Sequence, residues 1–334
     1  MKKVKYFILI AIILVVSLVA YSQNYAKEAY LVSTIVICAV LGLNLLKEKS
    51  QKKVASTQIK DQTKDKPLAT EHQNELDIAR RVQQALISYE NPNLKNIKIT
   101  KQCIPAESIG GDFYTFIDKV NYTSVQDEKE ALPGVIKYTQ EQENYLGVAI
   151  GDVAGHGISS ALVMALSAGL IDKIATQNNS AGNILTKANE DIRKFITNSR
   201  VSHLTCLFGF LNTDTLEFKY AKAGHHPALV LHKNKDITAL EAEGVFLGMF
   251  EDEIYKEKKF QLHSGDRLIL YTDGIVEANN IEGEIYGLAR MKTLLKETAD
   301  LAIEEVKDLL FKEAEVFSRG QEIKDDQTLI IIEV

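Results

Sequence analysis

"LGVAIGDVAGHGISSALVMAL", Leu146–Leu166, is an apolar strand-like run, then Gly151-Asp152, then a turn with glycines at 155 and 157, then an apolar helix-like run. A carboxylate leaves the end of a hydrophobic strand, and the glycines let backbone carbonyls and amides close around whatever that carboxylate binds. The same device recurs. "RLILYTDGIVEANN", Arg267–Asn280, ends a strand on Asp273-Gly274, and "IKDDQTLIIIEV" sets Asp325 and Asp326 just ahead of the last strand. "AESIGGDFYTF", Ala106–Phe116, places Gly110 and Gly111 directly before Asp112 and an aromatic strand.

Four acidic sites at strand ends imply a common centre. Carboxylates brought together repel and resist ionisation unless cations hold them. Oxygen-only ligation suits Mg²⁺ or Mn²⁺, and the scarcity of cysteine excludes a zinc module or a disulfide scaffold: Cys38, Cys103 and Cys206 share no ligand spacing. The histidines stand apart from this set. His156 lies in the glycine turn and is expected either to brace it by a hydrogen bond or to orient a metal-bound water or contact a phosphate, whereas the adjacent His225 and His226 would point to opposite faces of an extended segment and so not share one ion.

Around these acids the pattern alternates between two kinds of element. Strands are expected at Ile97–Ile104, Phe113–Val120, Leu146–Ile150, Leu204–Leu211, Thr215–Ala221, Ala228–Leu231, Arg267–Tyr271 and Thr328–Val334, and helices at Ser159–Thr176, Ala181–Asn198, Gly287–Thr298 and Ile303–Phe317. Strands cluster with helices between the clusters, which predicts an α+β fold of two stacked, largely antiparallel sheets flanked by helices. Asn121–Asn144 is polar and contains Pro133 and Gly134, so it reads as a long loop that either covers the site or is a passive insertion.

The amino-terminal part is of another kind. Residues 6–21 and 29–46 are apolar and of membrane-spanning length, and lysines flank both (Lys2, Lys3, Lys5; Lys47, Lys49, Lys52, Lys53). Domain 1–46 is therefore expected to be a two-pass transmembrane hairpin in the inner (cytoplasmic) membrane, with the rest of the chain in the cytoplasm; the alternative is a cleaved first run. Residues 47–70 read as a polar, lysine-rich linker able to lie on anionic lipid. In 71–91, Ile78, Val82, Ala85 and Tyr89 recur at helical spacing. That helix packs either on its own domain or, between Leu76 and Tyr89, on a second copy in a homodimer. Residues 92–334 are expected to form the domain that carries the four acids.

"GGDFY", "GDVAGHGISSAL", "YTDGIVEA" and "DDQTL" occur in the order and spacing of the SpoIIE/RsbU-type bacterial branch of the metal-dependent (PPM-type) serine/threonine phosphatases, and the chain resembles that family from about Glu71 to Val334. The resemblance implies two Mn²⁺ or Mg²⁺ ions and a metal-activated water as nucleophile. It assigns Asp112, the bridging Asp152, the carbonyl of Val153, Asp273 and Asp325 as ligands and catalytic residues, with Asp326 as a neighbour. It also implies a phosphorylated regulatory partner of the anti-anti-sigma (STAS-domain) type. One departure is Thr115, where relatives carry a further Asp.

Other functions fit less well. A net charge of −6 without a basic stripe excludes nucleic acid as the main partner. GGDFY looks like the GGDEF of diguanylate cyclases, but Phe113 stands where a cyclase needs Glu. No P-loop is present. A non-catalytic membrane scaffold on a phosphatase fold is the remaining alternative, at odds with retention of all four metal aspartates.

Overall fold

A computed structural model describes residues 74–87, 91–92, 94–127, 137–197, 201–319 and 321–334, with side chains of 122–141 excepted. The two apolar runs, 6–21 and 29–46, and the linker 47–70 lie outside the described residues. The helix expected within 71–91, α1, occupies 74–87. Ten strands and five more helices follow: β1 (Lys98–Ile104), β2 (Phe113–Asp127), β3 (Lys137–Val153), α2 (Ile158–Gln177), α3 (Ala181–Ile196), β4 (Leu204–Asn212), β5 (Glu217–Ala223), β6 (Ala228–Leu231), β7 (Ile237–Leu240), β8 (Lys258–Gln261), β9 (Arg267–Tyr271), α4 (Asp273–Val276), α5 (Gly287–Glu297), α6 (Ile303–Ser318) and β10 (Gln327–Glu333).

The strands form two five-stranded sheets, ordered β1-β10-β9-β6-β7 and β2-β3-β4-β5-β8, and the strand pairings within both are antiparallel. The period-2 alternation of strand side chains explains the uninterrupted apolar run of β10. Ile330 and Ile332 face the second sheet and join the core between the sheets, whereas Leu329 and Ile331 face the other way, under α5 and α6. The first sheet is thus buried on both faces. Helices α2 and α3 cover the outer face of the second sheet, α2 on β2 and β3 and α3 on β4 and β5.

Three expectations change. Asn121–Asn144 is no loop: β2 and β3 continue through it as a hairpin whose register runs from Phe113↔Gly151 to Asp127↔Lys137. Its described end lies 14 residue steps from Phe113, about 45 Å along the strand, so it points away from the acids and does not cover them. The polar sequence concealed it because the run carries no apolar alternation to mark a strand. Strands β7 and β8, four residues each at the two sheet edges, and the one-turn helix α4 are additional to the expected set.

Among the described residues α2 is the one helix long and apolar enough to cross a membrane, yet it packs on β2, β3 and α3 as part of this domain. Ile330 has no exposed surface. Replacing it with Ala should cost about 2 to 5 kcal/mol in urea-induced unfolding, through lost burial and the cavity left between the sheets.

Candidate active site

The antiparallel pairing gathers the acids. Asp112 immediately precedes β2, and Asp152 is the penultimate residue of β3, where Phe113 pairs with Gly151, so these two leave neighbouring strands at one end. In the other sheet β10 pairs with β9, Leu329 opposite Tyr271, which brings Asp325 and Asp326 at the start of β10 beside Asp273 at the end of β9. The two sheets present their acidic ends to each other.

Two adjacent aspartates do different work. The carboxylate of Asp326 accepts the backbone N–H groups of Ala106 (2.7 Å), Gly111 (2.5 Å) and Asp112 (3.2 Å), which fixes the turn that carries Asp112. That explains the paired glycines. A Cβ on Gly110 would collide with the Asp326 carboxylate, and one on Gly111 would stand 2.8 Å from the carbonyl oxygen of Val153. The glycines make room for protein oxygens, a closer constraint than ligand approach alone. Among the described residues Asp325 accepts only the neighbouring Asp326 N–H at one oxygen, 2.9 Å away.

Asp112 is buried. Its Oδ2 accepts the hydroxyls of Thr272 (2.8 Å) and Thr328 (2.6 Å), while Oδ1 is buried with no hydrogen-bond partner among the described residues. Asp273 Oδ1 is in the same condition. Burial first, then the charge of Asp152, push the Asp112 carboxyl well above its ordinary range. Burial and the charges of Asp273 and Asp325 push Asp152 up to about 7, and burial with Asp273 also raises Asp325. Orphaned buried oxygens among crowded acids fit hard divalent cations, which would supply both the missing partner and the missing charge.

Several supporting residues were not singled out from the sequence. Thr205 Oγ1 accepts the Asp152 N–H at 3.1 Å and lies 2.8 Å from Nδ1 of His225, a buried imidazole kept neutral by burial, its pKa lowered to about 3. Gln83 of α1 grips Gly110 at both ends, Nε2 donating to its carbonyl (2.7 Å) and Oε1 accepting its N–H (3.0 Å). Thr272 and Thr328 sit inside the acidic motifs, so position alone marked them; nothing marked Gln83. His156 spans the acidic turns, its Nδ1 2.9 Å from Glu107. His226 stacks on Tyr271. Thr115 is buried in β2. From Asp325 a cavity of about 910 Å³ extends between Glu277 and α6, with Lys312 and Lys324 in its wall.

Two stacked antiparallel sheets, flanking helices and an acidic centre at their common end define a PP2C-like phosphatase fold. The SiaA-PP2C domain of Pseudomonas aeruginosa has this fold, with a TM-score of 0.62 at 18% identity over 80% of this chain and 98% of that one. The chain belongs to the SpoIIE family of PPM-type protein phosphatases: the family's sequence model, Stage II sporulation protein E, matches residues 142–334. Among its relatives are two from Bacillus subtilis (strain 168). Phosphoserine phosphatase RsbU is 27% identical over 264 residues, 78% of this chain and 70% of that protein. Phosphoserine phosphatase RsbP is 27% identical over 220 residues, 65% of this chain and 53% of that protein.

The raised carboxyls make a testable pH dependence. A folded-state pKa above the unfolded value near 3.9 gives stability that is full below about pH 4 and lost as pH rises through about 7. Each tenfold difference in proton affinity between the folded and unfolded chain is worth about 1.4 kcal/mol. In chelator, the melting temperature of the protein should therefore fall from pH 4 to pH 8. Asp152→Asn should flatten that fall and be the more stable protein at pH 8, and added Mn²⁺ should reverse the order.

Proposed function

We propose that this chain is a membrane-anchored, metal-dependent protein phosphatase that hydrolyses phosphoserine or phosphothreonine on a regulatory partner of the STAS-domain type. The observation that carries the reading is the convergence of Asp112, Asp152, Asp273 and Asp325, with two buried carboxylate oxygens left without partners. Membrane anchorage rests on the apolar runs 6–21 and 29–46 with their lysine flanks.

Asp112, Asp152, Asp273, Asp325 and the carbonyl of Val153 would hold two Mn²⁺ or Mg²⁺ ions, Asp152 touching both. Such ions acidify a water and neutralise charge on a phosphoryl group. The chain's own residues supply the rest. Thr272 and Thr328 commit one oxygen of Asp112 and so aim the other, Thr205 fixes the backbone at Asp152, and Asp326 locks the Asp112 turn. The 910 Å³ cavity gives a phosphorylated segment a place to lie, and Lys312 and Lys324 offer cations to its phosphate.

Asp152→Asn should lower Mn²⁺-dependent release of phosphate from a phosphoserine protein by more than tenfold, about 1.4 kcal/mol of barrier. Full activity in that variant would remove Asp152 from its bridging role. Absence of any metal-dependent phosphate release by the wild type would favour the scaffold reading.

We further propose that α1 pairs with α1 of a second copy. Ile78, Val82 and Leu86 are exposed along one face (54%, 56% and 48%), while Gln83 and Ile87 face the domain, so the apolar stripe is not used for packing on the chain's own catalytic domain. Through Gln83 that helix is joined to the turn bearing Asp112. Val82→Glu should leave the melting temperature unchanged, since the side chain is exposed, while reducing both chemical cross-linking and turnover. A monomeric variant with undiminished turnover would reduce α1 to an adhesive surface.

A further inference from the structure

Between Ala223, the end of β5, and Ala228, the start of β6, the chain passes from the second sheet to the first. That crossing carries His225, a buried imidazole with contacts to both sheets. Its Nδ1 lies 2.8 Å from Thr205 Oγ1 on β4, and the same oxygen accepts the Asp152 N–H at 3.1 Å. Burial, then the neighbouring His226, lower its pKa to about 3 and keep it neutral, while the backbone of Tyr271 pulls the other way, as a carbonyl does when an imidazole N–H is directed at it. Tyr271 is the last residue of β9 and leads straight into Thr272, which donates to Asp112, and into Asp273. The ring therefore stands directly behind the acids of both sheets.

A neutral imidazole has a single N–H and a threonine a single O–H, so the protons can be placed by counting. Thr205 Oγ1 has three polar neighbours: Nδ1 of His225 at 2.8 Å, the Asp152 N–H at 3.1 Å and the Asp152 carbonyl oxygen at 3.4 Å. A proton on Nδ1 would leave the hydroxyl hydrogen only the longest of these contacts and would turn a bare Nε2 lone pair toward a carbonyl. With the proton on Nε2, Oγ1 donates to Nδ1 over the shortest contact and keeps its lone pairs for the Asp152 N–H. Nε2 itself is buried and closes no bond of ordinary geometry among the described residues. An unclosed buried donor costs stability, so a position selected for packing alone would be better filled by an apolar ring.

We propose that His225 is a positioning residue for the acid centre: it takes the hydroxyl proton of Thr205, leaves that oxygen a pure acceptor for the Asp152 N–H, and so holds the Asp152 turn of one sheet in place against the Tyr271–Asp273 turn of the other. Two links then tie the sheets beneath the acids. Asp326 makes one through the turn of Asp112, and His225 makes the other through the backbone of Asp152. Without the imidazole, the Thr205 proton is free to turn to the Asp152 carbonyl, and the Asp152 N–H loses a fixed acceptor while every carboxylate keeps its own contacts. The hydrogen bond of His225 is to Thr205 and to no carboxylate, so its action is on the spacing of the acids and thereby on the hold they have on cations. The inference rests on the proposed reading of those acids as metal ligands.

The test is calorimetric titration of Mn²⁺ into the full purified chain. His225→Phe keeps a ring without nitrogens, and His225→Asn keeps an acceptor where Nδ1 stands. Mn²⁺ affinity should fall about tenfold or more in His225→Phe and stay within about threefold of the wild type in His225→Asn. Thr205→Val should match His225→Phe, and the double variant should be no weaker than either single one, because both remove the same link. The proposal is overturned by wild-type affinity in His225→Phe, by an Asn variant no better than the Phe variant, or by losses that multiply in the double variant. Should His225→Phe fail to fold, Thr205→Val and Thr205→Ser make the same comparison with the hydroxyl lost or kept, and equal affinity in those two overturns it. A wild type that takes up no Mn²⁺ overturns the metal reading of the acids and this inference with it. A wild type whose Mn²⁺ uptake depends on His225 but which releases no phosphate overturns the phosphatase reading and leaves the positioning role standing.

Discussion

The carboxylate of Asp326 holds the site together. It stands at the foot of β10 and receives three backbone N–H groups from the segment Ala106–Asp112, so the turn ahead of β2 in one sheet is tied to the start of a strand in the other. An anion accepting several amides is among the stronger hydrogen-bonding arrangements in a protein, and here it is largely buried. With the turn fixed, Asp112 can be directed into a crowded pocket of like charge that it would otherwise swing away from. The cost of that crowding appears in the raised carboxyls of Asp112, Asp152 and Asp325.

Much of this was legible because the chemistry is written locally. Each acid of the centre adjoins an apolar strand, and Gly-Gly, Gly-Asp or Asp-Gly marks the turn at three of the four sites, so strand ends and acids could be placed from single stretches. Strands β6 and β9 fall where the runs of Ala228–Leu231 and Arg267–Tyr271 put them. What escaped notice depends on distance along the chain. The difference between Asp325 and Asp326 is made by amides more than 200 residues away, and in sequence the two are simply adjacent acids.

Weak patterning hid other parts. The outer half of the β2–β3 hairpin, from Asn121 to Asn144, is polar in sequence and offers no apolar alternation to read. Edge strands β7 and β8 are four residues long, and KKFQ shows mainly exposed positions. For α1 the helical period was plain, but its significance was ambiguous: the conspicuous Ile78, Val82, Leu86 stripe faces outward and a polar residue, Gln83, makes the buried contact.

The pairing of β1 with β10 has a consequence for how the protein comes to exist as an active species. Lys98 meets Glu333 across 235 positions, and Asp112 meets Asp326 across 214. Closing loops of that length is entropically expensive and tends to make assembly slow. A nascent or partly folded chain that has made only the β2–β5 sheet possesses Asp112 and Asp152 but no partners for them. Such a chain could not hold cations as a set. On the proposed reading, metal loading would belong to the end of folding, and the cations would seal the finished tertiary structure rather than template it.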